Sequence, residues 1–159
     1  MDPYRILFVC AGNICRSPLA EGVFRHLVTQ AGRAEAYHID SAGTGGWHEG
    51  EAPDLRSVAV ARNHGIDISR QRARRIRTSD FTAFDLVLAM DSDNLGNLLD
   101  VASADSKHRI HLFSRFAVGG IEDIPDPYYG GKEGFEQVYS MLLDGCAALF
   151  ERLEAERFS

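Results

Sequence analysis

The chain has 159 residues, 45% of them hydrophobic and 25% charged, a composition typical of one globular domain with a buried core. Its formal net charge of -6 argues against nucleic acid as a main partner, because contacts with the phosphate backbone favour a basic surface. Three cysteines are too few and too odd in number for a secreted disulfide framework.

The sequence indicates neither export nor membrane insertion. The N-terminus runs into the short apolar stretch 6–9 without the basic region and the long apolar region of a signal peptide. No segment approaches the length of a membrane span. We therefore expect a single domain over residues 1–159, a cytoplasmic location, no membrane association and a monomer.

The first third of the chain predicts a strand, a tight loop and a helix. Residues 4–9 form a nearly continuous apolar run, which is typical of a strand buried on both faces. Ser17 and Pro18 then favour a helix start, with Ser17 as the N-cap and Pro18 at the first helical position. Apolar residues follow at helical spacing, and we expect the helix to end near Gly32.

The same alternation recurs along the rest of the chain. Further strands are predicted at residues 36–40, 84–90 and 109–113. Further helices are predicted at residues 53–64 and 92–101 and, after a loop at 117–134, in a long C-terminal segment with an apolar face of Phe135, Val138, Leu142, Cys146, Leu149 and Leu153. Strands alternating with helices imply a parallel sheet covered on both faces. Ligands of such sheets bind beyond the carboxyl ends of the strands, so the loop after the first strand is the expected site.

That loop runs from Cys10 to Arg16. Between a strand end and a helix N-terminus it can turn several backbone N–H groups inward around an anion, and Gly12 and Asn13 tolerate unusual dihedral angles. The guanidinium of Arg16 matches two phosphate oxygens. Its charge also stabilises a thiolate at Cys10, which makes that thiol a nucleophile. Ser17 is placed to donate a hydrogen bond to the thiolate, to cap the helix, or to do both.

Each cysteine also has a structural interpretation. Cys10 alone would be a small buried hydrophobe at a strand end, but a nucleophile, an anion nest, a guanidinium and a helix start coincide in nine residues and favour catalysis. Cys15 either packs beneath the loop or forms a reversible disulfide with Cys10 that protects it from overoxidation. Cys146, on the apolar face of the last helix, is expected to be structural.

The segment VCAGNICRSP at residues 9–18 closely resembles the signature of the low-molecular-weight protein tyrosine phosphatases. Further matches follow in the same order at 40–43 (DSAG), 84–91 (FDLVLAMD) and 126–129 (DPYY). The resemblance implies an α/β flavodoxin-like fold, a three-layer sandwich whose four-stranded parallel sheet has the order 2-1-3-4. It also implies hydrolysis of phosphotyrosine and aryl phosphate monoesters through a phosphocysteine, without metal or cofactor.

The resemblance assigns a role to individual residues. Cys10 is the implied nucleophile, Arg16 the phosphate clamp and Asp126 the general acid and base. The implied phosphate-binding loop contains Ala11, Gly12, Asn13, Ile14, Cys15 and Ser17, and the residues implied to brace it are Asn13, Ser17 and Ser41. The implied cleft walls are Ile14, Trp47, Tyr128 and Tyr129. The implied partners are tyrosine-phosphorylated proteins and a cognate tyrosine kinase.

Asp126 also has a chemical argument, because a carboxylic acid near the site can protonate the leaving group. Pro127 stiffens its loop, yet Asp-Pro is also a common turn pair, and Glu122 and Asp123 compete for the role. These acids lack the spacing of a known cation-binding loop, and the six histidines form no zinc pattern, so no metal is predicted.

Two positions differ from some relatives. Arginine phosphatases that resemble this signature carry Thr where Ile14 stands, so Ile14 favours phosphotyrosine. Other relatives have His in place of Arg72 and use it to brace the counterpart of Asn13, so the resemblance does not extend to that contact. We expect a solvated basic face, which could also attract acidic phosphoproteins, at Arg70, Arg72, Arg74, Arg75 and Arg77.

Three other functions are disfavoured. An arsenate reductase on the same fold needs resolving cysteines well downstream of the loop, and residues 80–90 contain none. A catalytically idle phosphopeptide-binding module would not need Cys10, Arg16 and Asp126 together. A dinucleotide-binding loop would show Gly-x-Gly-x-x-Gly spacing, which is absent here.

Overall fold

The computed structural model describes residues 2–158, and this part of the chain contains one parallel sheet of four strands. They are β1 (Tyr4–Cys10), β2 (Tyr37–Gly43), β3 (Leu86–Ala89) and β4 (Ile110–Leu112). Their spatial order is β2-β1-β3-β4, and each neighbouring pair is parallel. The predicted sheet and its strand order are therefore confirmed.

Helices lie on both faces of the sheet. They are α1 (Arg16–Gln30), α2 (Leu55–Asn63), α3 (Asp80–Ala83), α4 (Ser92–Val101), α5 (Phe113–Val118) and α6 (Lys132–Phe158), with 3-10 turns at Ala34–Ala36 and Ala104–Arg109. Because side chains alternate along a strand, Ile6 and Phe8 pack with α1 and α6 on one face, whereas Leu7 and Val9 pack with α3 and α4 on the other. The predicted three layers are confirmed. No helix within residues 2–158 combines the length and the apolar character needed to cross a bilayer.

Three sequence-based predictions about element boundaries are wrong. Helix α1 begins at Arg16, its N-cap is Cys15 without a side-chain bond, and Pro18 is the third helical residue rather than the first. Ser17 is therefore not the cap, because its hydroxyl bonds to Cys10 instead. Phe113 begins α5 rather than ending a strand, and the predicted loop at 117–134 starts inside that helix.

Close packing of α1 depends on Gly22. A Cβ atom at this position would lie 2.4 Å from Ile68 Cγ2 and 3.3 Å from Ile66 Cγ2, both in buried side chains. We expect Gly22→Ala to lower the free energy of unfolding by about 1–3 kcal/mol through overpacking. Gly96 in α4 is the matched control, since no described atom would lie within 4 Å of its Cβ. Gly96→Ala should instead stabilise the protein by about 0.5–1 kcal/mol, and urea unfolding that gives both variants the same sign would contradict the packing.

Candidate active site

The loop after β1 forms a tight cradle at the carboxyl end of the central strands. Asn13 has φ 58° and is the one non-glycine residue within residues 2–158 with a positive φ. Asparagine tolerates this left-handed conformation better than most residues. Gly12 does not share this conformation, contrary to expectation. A Cβ at Gly12 would lie 3.0 Å from Cδ2 of the His48 ring, a tight contact.

The end of β2 supports the cradle from below. Thr44 N donates to Cys10 O at 2.9 Å, and Gly45 N donates to Ala11 O at 3.0 Å. A Cβ at Gly43 would lie 2.8 Å from Ala11 O and 3.1 Å from Asn13 N. Position 43 therefore requires glycine, because the backbone of β2 lies close to the backbone of the cradle there. In the sequence, the only sign of this requirement is that Gly43 belongs to the DSAG match.

A chain of buried hydrogen bonds begins at the thiol of Cys10. Its Sγ lies 3.0 Å from Ser17 Oγ, and the Ser17 backbone N–H points to the same sulfur at 3.4 Å. Asn13 Nδ2 donates to Ser17 Oγ at 2.7 Å. Because Ser17 Oγ accepts that bond, its own hydrogen is available to the sulfur, with Ala42 O at 3.4 Å as the more distant alternative.

The same amide reaches a second serine and a buried acid. Asn13 Nδ2 donates to Ser41 Oγ at 3.0 Å, and Ser41 Oγ donates to Glu21 Oε1 at 2.7 Å. Burial raises the pKa of Glu21 above its usual value, while Arg25 at 2.8 Å and the Ser41 hydroxyl oppose the shift. Glu21 was missed in the sequence, where it is merely one polar residue within an apolar helix.

The oxygen of the Asn13 amide is held by the arginine run. Arg74 N donates to Asn13 Oδ1 at 3.0 Å, and the Arg74 guanidinium pairs with Asp40 at 3.1 Å and Asp80 at 3.0 Å. Arg74 is thus half-buried and paired, which corrects its assignment to a solvated basic face; the other arginines of the run are exposed. The backbone of Arg74, and not the side chain of Arg72, therefore braces Asn13.

Arg16 is almost fully buried beside the cradle. Its Nη1 donates to Asp91 Oδ2 at 2.6 Å and to Ile124 O at 2.9 Å. Burial lowers the pKa of Arg16, but the neighbouring Cys10 and Asp91 outweigh it and raise the pKa above its usual value. Asp91 also caps α4 through Asn94 N at 2.7 Å. It was missed as a site residue, although it ends the FDLVLAMD match and directly follows a predicted strand.

Asp126 faces the same cavity as Cys10. Its Oδ2 lies 3.7 Å from Arg16 Nη2, and its Oδ1 accepts from Tyr128 N at 3.0 Å. Among the three acids that compete for this role in the described chain, Glu122 and Asp123 do not line the cavity. Asp123 instead accepts from Ser92 N and Oγ at the start of α4.

The cavity above the thiol has a volume of about 370 Å³. Its lining contains the predicted cradle and cleft residues Cys10, Ala11, Gly12, Ile14, Cys15, Arg16, Trp47, Asp126, Tyr128 and Tyr129. The Trp47 residue is 72% exposed, so its ring is available to a ligand. His48 also lines the cavity and was missed in the sequence; its Nδ1 lies 2.6 Å from Glu51 Oε2.

The remaining cysteines occupy different environments. Burial, followed by the nearby negative charges of Asp54 and Cys10, raises the pKa of Cys15 to about 12. Cys15 therefore stays a neutral thiol at physiological pH. Complete burial raises the pKa of Cys146 above its usual range, in keeping with its predicted structural role.

Comparison with known proteins confirms the resemblance seen in the residues. The profile of the family described as low molecular weight phosphotyrosine protein phosphatase matches residues 5–158. Proteins of that description are 47% identical in Schizosaccharomyces pombe, covering 88% of this chain and 90% of that protein, and 42% identical in Homo sapiens, covering 92% and 94%. The crystal structure of a protein tyrosine phosphatase from Entamoeba histolytica matches with a TM-score of 0.92 at 39% identity, covering 98% of this chain and 99% of that one. The chain therefore belongs to the low-molecular-weight phosphotyrosine protein phosphatase family.

Proposed function

We propose that this chain hydrolyses phosphotyrosine and aryl phosphate monoesters through a phosphocysteine on Cys10. The observation that carries the proposal is the position of Cys10 Sγ at the base of a cavity that Arg16 and Asp126 also line. A nucleophile, a cation for the phosphate and a proton donor for the leaving group therefore face one volume. Family membership supports the same reaction.

In the first step, the backbone N–H groups of the cradle and the guanidinium of Arg16 bind the phosphate oxygens. The Cys10 thiolate attacks phosphorus, an S–P bond forms and the P–O bond to the aryl group breaks. Asp126 gives its proton to the departing phenoxide, which leaves as a phenol. Electrostatic stabilisation by groups that are already oriented lowers the barrier to transfer.

In the second step, water attacks the phosphorus of the phosphocysteine. The Asp126 carboxylate accepts a proton from that water, so Asp126 returns to its acid form. The S–P bond breaks, inorganic phosphate leaves and Cys10 returns to the thiolate. The hydroxyl of Ser17, 3.0 Å from the sulfur, stabilises this thiolate as leaving group by donating its hydrogen.

The intermediate gives a direct test. Acid quenching during turnover of an aryl phosphate should trap a phosphoryl group on the peptide that contains Cys10, and mass spectrometry should detect its mass. Cys15 lies in the same peptide, so fragmentation must place the group on Cys10. Turnover without phosphorylated Cys10, or with phosphate on another residue, would contradict the proposal.

The walls of the cavity favour an aromatic substrate. Ile14, Trp47, Tyr128 and Tyr129 surround it, and their faces can enclose a phosphotyrosine ring over the cradle. We therefore propose tyrosine-phosphorylated proteins as substrates. We also propose a cognate tyrosine kinase as a further partner, and that the protein acts as a monomer in the cytoplasm. Free thiols at all three cysteines suit a reducing compartment. Independence from metal and cofactor stays a prediction.

We also propose reversible protection of Cys10 by Cys15. Peroxide oxidises the Cys10 thiolate to a sulfenic acid, which removes one of the negative charges that raise the pKa of Cys15. Cys15 then loses its proton as its sulfur attacks the sulfenic sulfur of Cys10; hydroxide leaves and takes up that proton as water, and a disulfide forms. A thiol reductant restores both cysteines. Both residues line one cavity, and Cys10 is close enough to affect the pKa of Cys15.

Mild peroxide should therefore produce a disulfide within the peptide that contains both residues, and dithiothreitol should restore activity. In Cys15→Ser the same treatment should produce sulfinic or sulfonic Cys10 and irreversible loss. Mass spectra of treated wild type that show only overoxidised Cys10 would rule out this protection.

A further inference from the structure

Arg56, the second residue of α2, contacts the segment that follows Asp126. Its Nη1 donates to Gly130 O at 3.2 Å, and its guanidinium lies 5.6 Å from the centre of the Tyr128 ring. The same guanidinium lies 4.6 Å from the centre of the Phe135 ring in the first turn of α6. One side chain thus joins α2 and α6 to the loop that carries the acid.

Asp54 fixes the direction of this arginine. Its Oδ1 accepts from Arg56 Nε at 3.0 Å and its Oδ2 accepts from Arg56 Nη2 at 3.0 Å, a bidentate pair. Asp54 Oδ1 also accepts from the Arg56 backbone N–H and so caps α2. Burial alone would raise the pKa of Asp54, but the hydrogen bonds from Arg56 outweigh it and lower that pKa.

The N-terminus of α2 is in turn joined to the cradle. Asp54 N donates to Ile14 O at 2.8 Å, and Ser57 Oγ donates to Cys15 O at 3.3 Å. Both acceptors are carbonyl groups of the phosphate-binding loop. The acid loop and the cradle therefore share one anchor, which sets the position of one relative to the other.

Asp126 itself has few restraints. Its side chain is 47% exposed, its bond to Tyr128 N lies within its own loop, and Arg16 Nη2 at 3.7 Å is beyond hydrogen-bond length. The position of the carboxyl group thus depends on what holds the loop. Pro127 O accepts from Gly130 N at 2.9 Å, which closes the loop into a compact turn, so a contact at Gly130 also restrains the residues next to Asp126.

We propose that Arg56 is a positioning residue for the general acid: by binding Gly130 and stacking on Tyr128, it holds Asp126 over the leaving group of a substrate bound at Cys10. The inference rests on the proposed role of Asp126. A displacement of about 1 Å at a reacting group can cost roughly 100-fold in rate. Because Arg56 is partly exposed and the turn retains its internal bonds, we expect a loss of about tenfold.

The dependence of kcat/KM on the acidity of the leaving phenol tests this role, because a merely structural effect of Arg56 would lower kcat/KM equally for all leaving groups. Protonation of the leaving phenoxide matters most when the phenol is a weak acid. Arg56→Ala should therefore lower kcat/KM by about tenfold for aryl phosphates of weakly acidic phenols and by less than about threefold for those of strongly acidic phenols. Arg56→Lys keeps the charge but loses the bidentate pair, and should lie between wild type and Arg56→Ala.

Arg152 offers a matched control. Its side chain is 42% exposed, as is that of Arg56, and it pairs with Glu156, stacks on Phe116 at 3.8 Å and donates to Phe116 O, distant in the fold from the cavity. Arg152→Ala removes the same kinds of contact and should leave the dependence on leaving group as in wild type. If Arg152→Ala changes the dependence on leaving group as much as Arg56→Ala does, the inference is overturned.

A double variant separates this inference from the proposed function. If Arg56 acts through Asp126, Arg56→Ala should cost less than about twofold in the Asp126→Asn background. Two outcomes would overturn the positioning role alone. One is that the losses of kcat/KM in the two single variants multiply in the double variant; the other is that Arg56→Ala lowers kcat/KM equally for all leaving groups. If Asp126→Asn fails to steepen the dependence on leaving group, the acid role of Asp126 fails, and this inference fails with it.

Discussion

Cys10→Ser is expected to abolish hydrolysis of an aryl phosphate, with kcat/KM falling by more than about 10⁴-fold. Serine resembles cysteine in shape, but its hydroxyl is a far weaker nucleophile than a thiolate. The environment of Arg16 and the cradle is suited to stabilise a thiolate, and it does not make an alcohol a comparable nucleophile. Steady-state assays with p-nitrophenyl phosphate measure the loss.

Two measurements separate loss of the nucleophile from loss of the fold. Cys10→Ser should still bind inorganic phosphate, since the loop N–H groups and Arg16 remain, and titration calorimetry tests this. Cys15→Ser makes the same change in the same loop and should lose far less activity, because Cys15 is a neutral thiol with a pKa of about 12. Undiminished hydrolysis by Cys10→Ser would end the proposed mechanism.

Asp126→Asn is expected to slow hydrolysis by about 10²–10⁴-fold, the usual contribution of a general acid. The amide keeps the size of the carboxyl group and can still accept from Tyr128 N, but it cannot give a proton to the leaving phenoxide. Losses should be largest for substrates with weakly acidic phenols. Release of phenol in the first turnover, followed by stopped flow, measures this step separately from hydrolysis of the phosphocysteine.

Asp123→Asn is the matched control for this prediction. Asp123 lies three residues away in the same connection, but it accepts from Ser92 at the start of α4 and does not line the cavity. Its replacement should affect the stability of α4 more than catalysis. Equal losses of activity in the two variants would contradict the assignment of Asp126 as the acid.

Strong local signals in the sequence were sufficient to predict where some of the helices begin and end. Helix α4 has the predicted bounds, Ser92 to Val101, because Asp91 provides a clear N-cap signal. Gly32 follows α1 as predicted, and Gly65 follows α2; their φ values of 72° and 80° favour glycine. Helix α5 was missed because six residues are too few to show a helical period.

The predicted N-cap at Ser17 is wrong because the phosphate-binding loop uses the serine hydroxyl for another purpose. Serine is a favourable cap residue, and the sequence around it fits a helix start. In the structure its hydroxyl contacts Cys10 and Asn13 inside the cradle, and the helix begins two residues earlier, at Arg16, without a side-chain cap. The helix-capping preference of one serine contributes less free energy than the hydrogen bonds of a buried network.

The parallel sheet and the phosphate-binding loop follow from the sequence alone, and the resemblance predicts Asp126 as the acid. These features are encoded within short segments, as alternating apolar runs or as contiguous motifs. The contacts that hold the cradle become visible only in the folded chain: Asp91 binds Arg16 from 75 residues away, and Arg74 binds Asn13 from 61 residues away. Neither pair has a periodic or motif-like spacing. Asp91 reaches Arg16 because β1 and β3 are parallel neighbours whose carboxyl ends lie at one edge of the sheet, and Arg74 reaches Asn13 because its segment runs beside the end of β2. The contact between Arg56 and Gly130, which follows Asp126 in the same loop, likewise joins residues 74 positions apart.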